Sequence, residues 1–272
     1  MSVAINFARQ FFALLVVAMA IAVPAAAQQK SAPPKLDLAQ LQNKSARLPM
    51  LAERITKLYT QIGQGVLASR TSRSLPMAIM EFETGLKELV AQAPTAEIKE
   101  NYQLLEQLWT EYKAIASKAP NLDSARVLAE QNEEVVWIAT KGAQLVLDYS
   151  KAQASELIRT AGEVRVLSQR IAKLYLFRSW GIRSDVIAND LKAADELFRK
   201  DMAKLLNAPQ NTPEIKAELQ LAENQYIVLG QAIDRLNTGK NVTRELEFVA
   251  KTCDNILEVM DRATRLYEGV KS

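Results

Sequence analysis

The chain contains two nearly identical stretches, RITKLY at residues 54–59 and RIAKLY at residues 170–175. They lie 116 positions apart, and at the same separation Phe82 is matched by Phe198. Within each stretch the apolar residues are three and four positions apart, which is the spacing of one helix face. The repeat therefore predicts that one helical unit occurs twice in the chain.

The similarity extends beyond these stretches. The tripeptide EIK occurs at 97–99 and again at 214–216, one residue out of the earlier register, and Trp109 then falls opposite Tyr226. A single inserted residue in a loop accounts for the shift. Because agreement over about a hundred residues is not expected from composition alone, we predict two tandem copies of one unit.

The two copies span residues 36–150 and 151–272, and each is predicted to hold four helices. Apolar residues recur at helical spacing from Leu36 onward, and no segment alternates with the period of two that a strand requires. Thr95 and Thr212 each precede an acidic first turn, which is typical of helix N-caps. The predicted helices cover 36–71, 75–93, 95–118, 122–150, 151–180, 184–207, 213–237 and 241–269.

Four helices joined by short loops are typical of an antiparallel four-helix bundle, so the sequence predicts an all-α fold of two tandem four-helix bundles. Only Gly142 and Gly162 interrupt the helical pattern of 122–180. We therefore expect the last helix of the first unit to continue into the first helix of the second, as a rod about 85–90 Å long. The alternative is that the two units fold back on each other as an intramolecular pseudo-dimer.

The first 27 residues have the features of an export signal. Arg9 precedes an apolar run from Phe11 to Val23, which Pro24 ends before three alanines that suit a cleavage site. The run is shorter than the roughly 20 residues that cross a bilayer, although an uncleaved anchor is the alternative. We predict a signal peptide at 1–27, a polar linker at 28–35 and a periplasmic mature protein.

The residue types that the chain lacks exclude most catalytic chemistry. With 0 histidines and 1 cysteine, the chain cannot form a histidine-dependent triad, a His or Cys zinc site or an internal disulfide. We predict that the protein is not an enzyme and uses no metal and no cofactor. The net charge of +3 is spread without a basic block, which argues against a nucleic-acid partner. Cys253 is expected to be a buried apolar residue, with a disulfide-linked dimer as the alternative.

The first helix of the second unit carries an unusual polar seam. A heptad assignment over 151–180 places Arg165 and Gln169 at the centre of a packing seam, between apolar ends and next to Gly162. A cation on a packing seam needs a counter-charge, and the planar guanidinium suits a flat oxyanion. If two copies of this helix meet, two Arg165 side chains face one site that a small anion would bridge. The alternative is that Arg165 is a solvated or salt-bridged surface residue.

The stretch AGEVRVLSQR at 161–170 resembles the ligand-binding P box of the periplasmic domain of nitrate/nitrite sensor kinases. It also resembles the N-terminal, PilJ-type domain of type IV pilus methyl-accepting chemotaxis transducers. Domains of that family are four-helix bundles, often dimeric, in which the first arginine of the motif contacts the anion across the two first helices of a dimer. The resemblance implies that Arg165 contacts the ligand and that Arg170 is a secondary or structural basic residue. The implied ligand-binding residues are Gly162, Arg165, Ser168, Gln169 and Arg170.

The first unit departs from this motif. Pro49 stands where the second unit has Arg165, and Glu53 stands where it has Gln169. The proline should kink or restart the helix, and the glutamate would repel an anion, so the first unit is predicted to lack such a site. In the second unit Arg159 replaces the asparagine that often opens the family motif, which argues against a strict nitrate preference.

Together these observations predict a periplasmic sensory or ligand-binding module that recognises a small anion such as nitrate or nitrite. Since the chain shows no kinase or methylation segment, any signal is expected to pass to a separate partner, a membrane receptor or a pilus-system component. A homodimer through the 151–180 helix is also expected. The alternative is a structural or interaction protein of the cell envelope, associated with a pilus or a receptor, that binds no small molecule.

Overall fold

The computed structural model describes residues 35–150, 153–182, 186–235 and 242–270. These residues form α-helices and no β-strand, which confirms the all-α prediction. The helices are α1 (Leu38–Gly63), α2 (Ala68–Gln92), α3 (Ala96–Ala116), α4 (Leu122–Ser150), α5 (Gln153–Trp180), α6 (Ile187–Leu206), α7 (Pro213–Arg235) and α8 (Val242–Glu268). The predicted signal peptide at 1–27 lies outside the described residues, as does the predicted linker at 28–35 apart from Lys35. Among the helices described, none is both long enough and apolar enough to span a bilayer.

Polar residues just before the helices determine where several of them begin. Thr95 and Thr212 each accept a hydrogen bond at 3.3 Å from the backbone N–H three residues later, as predicted for N-caps. Asp37 begins α1 with a capping box, because its carboxylate accepts from the Gln40 N–H at 2.8 Å while the Gln40 side chain accepts from the Asp37 N–H. These contacts satisfy backbone N–H groups that have no partner within the helix.

The first helix is shorter than the helix predicted at 36–71. The helix α1 ends at Gly63, and the break expected at 72–76 lies inside α2. Gly65 adopts a φ of +71°, a conformation that glycine takes without a steric cost. The chain therefore turns before the break that was predicted at 72–76.

Two prolines lie inside helices without ending them. Pro49 is inside α1 and Pro76 is inside α2, although Pro49 was expected to kink or restart its helix. Because proline lacks an N–H, the carbonyls four residues earlier, those of Ser45 and Ser72, lose their helical donors. Pro76 and Ser72 are exposed, so water can satisfy that carbonyl, whereas Pro49 borders a cavity that leaves room for its ring.

The two units of the chain have the same internal packing. In the first unit α1 contacts α2 and α4, and α3 lies between α2 and α4; in the second, α5 contacts α6 and α8, and α7 lies between them. Phe82 stacks on Trp109 with ring centroids 4.1 Å apart, and Phe198 stacks on Tyr226 at 3.7 Å. These are the aromatic positions that the sequence repeat pairs, so the repeat in sequence is also a repeat in packing.

The two units meet through α1 and α5, which run parallel to each other. A Cβ atom on Gly162 would lie 2.6 Å from the Cβ of Ala46, and Arg170 donates to Glu53 at 2.9 Å. The first pair is 116 positions apart, which is the separation of the repeat here, and the second pair is 117 positions apart. Positions of α1 therefore face their counterparts in α5 to within one residue.

The expectation of one continuous helix across 122–180 is wrong. Nζ of Lys173 in α5 lies 2.6 Å from Oδ1 of Asn132 in α4, whereas 41 residues of straight helix would separate them by roughly 60 Å. The chain therefore reverses direction between α4 and α5. The reversal buries the Arg165 seam against α1, which an end-to-end stack would leave exposed.

The close approach of α1 and α5 at Gly162 gives a first prediction. Gly162→Ala would press a methyl group against Ala46, and we expect a loss of about 1–3 kcal/mol in the free energy of unfolding. The matched control is Gly85→Ala in α2, where the new Cβ would meet Leu48 at an ordinary 3.4 Å. That variant should be more stable by about 0.5–1 kcal/mol, because alanine favours the helix. Urea unfolding of both variants measures the difference, and equal effects would contradict a tight contact at Gly162.

Candidate functional site

The polar seam of α5 is buried against α1 of the same chain. Arg165 and Gln169 have no exposed surface, and the apolar seam residues Ile158, Ala172 and Leu176 are equally buried. The burial excludes a solvated surface position for Arg165, whereas the salt bridge that the same alternative included is present, to Asp261 at 2.9 Å. The second copy of the helix that was expected opposite this seam is replaced by α1, so a homodimer through the same face would have to displace α1.

Arg165 is only partly paired. Its Nη1 donates to Oδ1 of Asp261 in α8 at 2.9 Å, while its Nε and Nη2 are buried and have no hydrogen-bond partner among the residues that the structure describes. Burial lowers the pKa of Arg165, and the nearby carboxylate of Asp261 only partly opposes this effect. An arginine nevertheless stays protonated, so a positive charge with two unused donors lies inside the protein.

A second guanidinium shares the same carboxylate. Nη1 of Arg47 in α1 donates to Oδ1 of Asp261 at 2.7 Å, and Arg47 also pairs with Glu81 on its exposed side. Burial alone would raise the pKa of Asp261, but the charges of Arg165 and Arg47 lower it instead. The counter-charge predicted for an arginine on this seam is therefore supplied by Asp261 of the same chain.

Gln169 and Ser168, which the resemblance implied as ligand-binding residues, donate their hydrogen bonds to other groups of the chain. Gln169 Nε2 donates to the Cys253 carbonyl at 3.2 Å and to the Ser168 hydroxyl at 3.3 Å, which uses both of its hydrogens. The Ser168 hydroxyl donates in turn to the Arg165 carbonyl at 2.7 Å. Neither side chain has a donor left for an anion, so of this pair only the buried, unpartnered Oε1 of Gln169 remains available, as an acceptor.

Gly162 and Arg170, the two remaining residues with an implied ligand role, lie in different places relative to Arg165. Gly162 lies beside Arg165, because a Cβ atom there would be 3.5 Å from Nη2 of Arg165. Arg170 is directed away from Arg165 and donates to Glu53 at 2.9 Å and to Glu133 at 3.0 Å. The structure thus brings Gly162 next to the guanidinium and gives Arg170 the structural role that was its second interpretation.

A layer of buried ion pairs lies one to two helical turns beyond Arg165 along α5. Nζ of Lys173 is 2.7 Å from Glu53 and 3.0 Å from Glu133, and Lys173 and Glu53 are fully buried. In the equivalent place of the other unit Lys57 of α1 pairs with Asp254 of α8. Both lysines belong to the repeated stretches RITKLY and RIAKLY, so their recurrence at the same position is the sequence signal that could have indicated this layer.

Two residues of the Arg165 site, Asp261 and Arg47, have no signal in the sequence. They lie on helices far from Arg165 in sequence, and no local pattern indicates that they meet. A further buried polar side chain lies on α1: Gln42, one turn before Ala46, is fully buried, and among the described residues neither its Nε2 nor its Oε1 has a hydrogen-bond partner. This amide has the same incomplete satisfaction as Arg165.

Comparison with known proteins identifies no relative. No protein-family model, no curated protein and no solved structure matches the chain. The resemblance at 161–170 therefore stays a hypothesis that depends on those residues. In the part of the chain that the structure describes, no three His, Cys, Asp or Glu side chains are grouped as they would need to be to hold a metal ion.

The ion-pair layer gives a prediction for acid. Burial would raise the pKa of Glu133, but Lys173 and Arg170 outweigh it and bring the pKa to about 2, below the ordinary 4.5. A carboxylate with a depressed pKa stabilises the fold above its unfolded-state pKa, and this contribution is lost as the pH falls from about 4.5 toward 2. Between pH 6 and pH 3 the native protein should lose about 1–2 kcal/mol more stability than Glu133→Gln, after allowance for the partly exposed side chain.

Urea unfolding at the two pH values measures this difference. The matched control is Glu134→Gln, a change to the exposed neighbour of Glu133 that should leave the acid sensitivity of the native protein unaltered. If Glu133→Gln loses as much stability in acid as the native protein does, the ion-pair layer is not its source.

Proposed function

We propose that the protein is a sensory or ligand-binding module that holds a small oxyanion at Arg165. The observation that carries the proposal is the Nε–Nη2 edge of this guanidinium, which is buried and has no hydrogen-bond partner in the described part of the chain. Two N–H groups on one edge match two oxygens of a nitrate, a nitrite or a carboxylate. Buried donors without an acceptor cost free energy that a bound oxyanion would recover.

Several charges surround the free edge of Arg165. Arg47 and Arg165 bring two positive charges to Asp261, which supplies one negative charge. Glu81 pairs with Arg47 from the exposed side, where solvent screens its charge, and Glu268 of α8 also acts on Arg165. The unused donors of Arg165, and not an excess of positive charge, are therefore what favours a bound oxyanion.

We further infer that the chain consists of two four-helix bundles arranged as an intramolecular pseudo-dimer. The contacts within each unit and the parallel pairing of α1 with α5 support this arrangement. In the family that the stretch at 161–170 resembles, the anion lies between the first helices of two protomers. Here α1 and α5 would take those two places within one chain.

We propose that binding is communicated through α8 to a separate partner. Asp261 on α8 contacts Arg165 of α5 and Arg47 of α1, so an oxyanion that competes for Arg165 would alter the contacts of all three helices. A membrane receptor or a pilus-system component is the proposed recipient. The leader-like residues 1–27 support a periplasmic location.

A second candidate function is an interaction protein of the cell envelope that binds no small molecule. It is favoured by Asp261, because this internal carboxylate already lies between the two guanidinium groups. Large apolar side chains at Met77, Met80 and Trp137, each about 64% exposed, are consistent with a protein contact. Anion titration separates the two candidates, because only the first requires a ligand.

Calorimetric titration of the mature protein with nitrate, nitrite and acetate tests the proposal. At least one of these anions should bind with a saturable heat. Arg165→Ala removes the free guanidinium edge and should weaken that binding at least tenfold, since a charge-assisted hydrogen bond contributes about 1.5–3 kcal/mol. Circular dichroism checks that the helix content of the variant is unchanged.

The matched control is Arg262→Ala on α8, an exposed arginine that pairs with Glu218 instead of Asp261. Its anion affinity should equal that of the native protein apart from a small general electrostatic effect. The absence of heat with all three anions in a folded sample would refute the oxyanion function and leave the interaction protein as the better candidate. Equal weakening by both substitutions would mean that the site is not at Arg165.

A further inference from the structure

A cavity of about 180 Å³, partly open to solvent, lies between α1, α4, α5 and α6. Most of its lining is apolar and consists of Ala46, Pro49, Ala143, Val166, Leu167 and Leu197. No residue of α8 lines it, so the cavity lies on a different side of the α1–α5 contact from Asp261 and from the site proposed above. Nothing in the proposed oxyanion function uses it.

The repeat explains why space is left at this place. Along α1 and α5 the copies are 116 positions apart, so Pro49 is the counterpart of Arg165. Along α4 and α8 the counterparts are 121 positions apart. This separation follows from the ion pairs, because Glu133 of α4 pairs with Lys173 and Asp254 of α8 pairs with Lys57, its counterpart in the repeat. At that separation Thr140, which lines the cavity, is the counterpart of Asp261.

One side of the α1–α5 contact is therefore filled by an ion pair and the other is not. Where α5 and α8 place Arg165 and Asp261 against each other, α1 and α4 place Pro49 and Thr140. The smaller side chains cannot meet across the same gap. What remains is a pocket with mostly hydrocarbon walls instead of a charged contact.

The charged groups at the rim do not offer a free charge to a ligand. Arg159 and Glu163 line the opening and form an ion pair with each other, and Arg159 also pairs with Glu156 at 2.7 Å. Because these charges are already compensated, an ionised ligand would lose its hydration without gaining a partner. Leu197 at the rim is 42% exposed and would be covered by an apolar ligand.

From these observations we propose that the cavity binds a small uncharged apolar molecule, of the class of single-ring aromatics and branched hydrocarbons. An apolar cavity of about 150 Å³ is large enough to take up benzene, so the space here fits such a molecule. Pro49 and Leu167 provide rigid apolar walls, and the rim provides access from solvent. This second site opens on the opposite side of the α1–α5 contact from Asp261, and the two sites adjoin at Gly162.

Benzene is the probe for a titration of the mature protein followed by methyl NMR and thermal unfolding. The methyl signals of Val166, Leu167 and Leu197 should shift saturably, and the melting temperature should rise with benzene concentration. Ala143→Leu fills the cavity and should weaken benzene binding at least tenfold. The control Ala193→Leu makes the same change at an exposed position of α6 outside the cavity and should leave the affinity unchanged.

Two further measurements make the outcome decisive. Benzoate, the charged relative of benzene, should bind at least tenfold more weakly, and Arg262→Ala should leave benzene binding unaltered because this exposed arginine of α8 does not line the cavity. If Ala143→Leu does not fold, the map of shifted methyl groups in the native protein locates the site by itself. The proposal is overturned if benzene causes no saturable shift, if the shifted methyl groups lie elsewhere, or if a folded Ala143→Leu protein binds benzene as tightly as the native protein.

Discussion

A layer of buried ion pairs between α1 and its neighbours fixes how the two halves of the chain meet. Lys173 and Glu53 are 2.7 Å apart without exposed surface, and Lys57 of α1 forms a second buried ion pair with Asp254 of α8. Removing such charges from water costs several kcal/mol per ion, so the pairs add little net stability. Their effect is on register: sliding α5 along α1 by one position would leave buried charges unpaired, at a cost of about 3–5 kcal/mol.

The register of α1 against α5 determines the surroundings of the other seam residues. With Glu53 held against α5, Ala46 falls opposite Gly162, and the small side chains let the two helix backbones come close. Arg165, one turn beyond Gly162, is then enclosed where only α8 supplies a carboxylate. The incomplete pairing of Arg165 is thus a consequence of geometry set elsewhere, since the guanidinium cannot turn toward solvent to find more partners.

Much of the fold could be predicted from local pattern, and what could not depends on contacts distant in sequence. Helical spacing and the caps at Thr95 and Thr212 are local, so those predictions are confirmed. The seam around Arg165 was predicted to be packed and to need a counter-charge, because an arginine between apolar positions cannot be buried alone. The identity of that counter-charge, Asp261, follows only from tertiary packing 96 residues away.

The wrong prediction of a continuous helix has the same origin. The absence of helix breakers across 122–180 indicates that helix is locally favourable, but it does not include the free energy gained when the chain reverses. That gain comes from burying the α5 seam on α1 and from pairing Lys173 with Asn132 and Glu133, none of which a straight rod allows. Local helix propensity therefore predicted each of the two helices correctly, but it contains no information about the reversal of direction between them.

Having both halves in one chain also explains how the two sides of the α1–α5 contact can differ. In a symmetric homodimer the same surface occurs twice, so a substitution appears on both sides of the interface at once. Covalent linkage removes that constraint, and it makes the pairing of α1 with α5 independent of protein concentration. Pro49 and Thr140 can then replace a charged pair on one side while Arg165 and Asp261 keep it on the other. A single interface thereby acquires one polar half, where we propose an anion, and one apolar half, where we propose an uncharged molecule. Two identical protomers could not provide both halves without duplicating each of them.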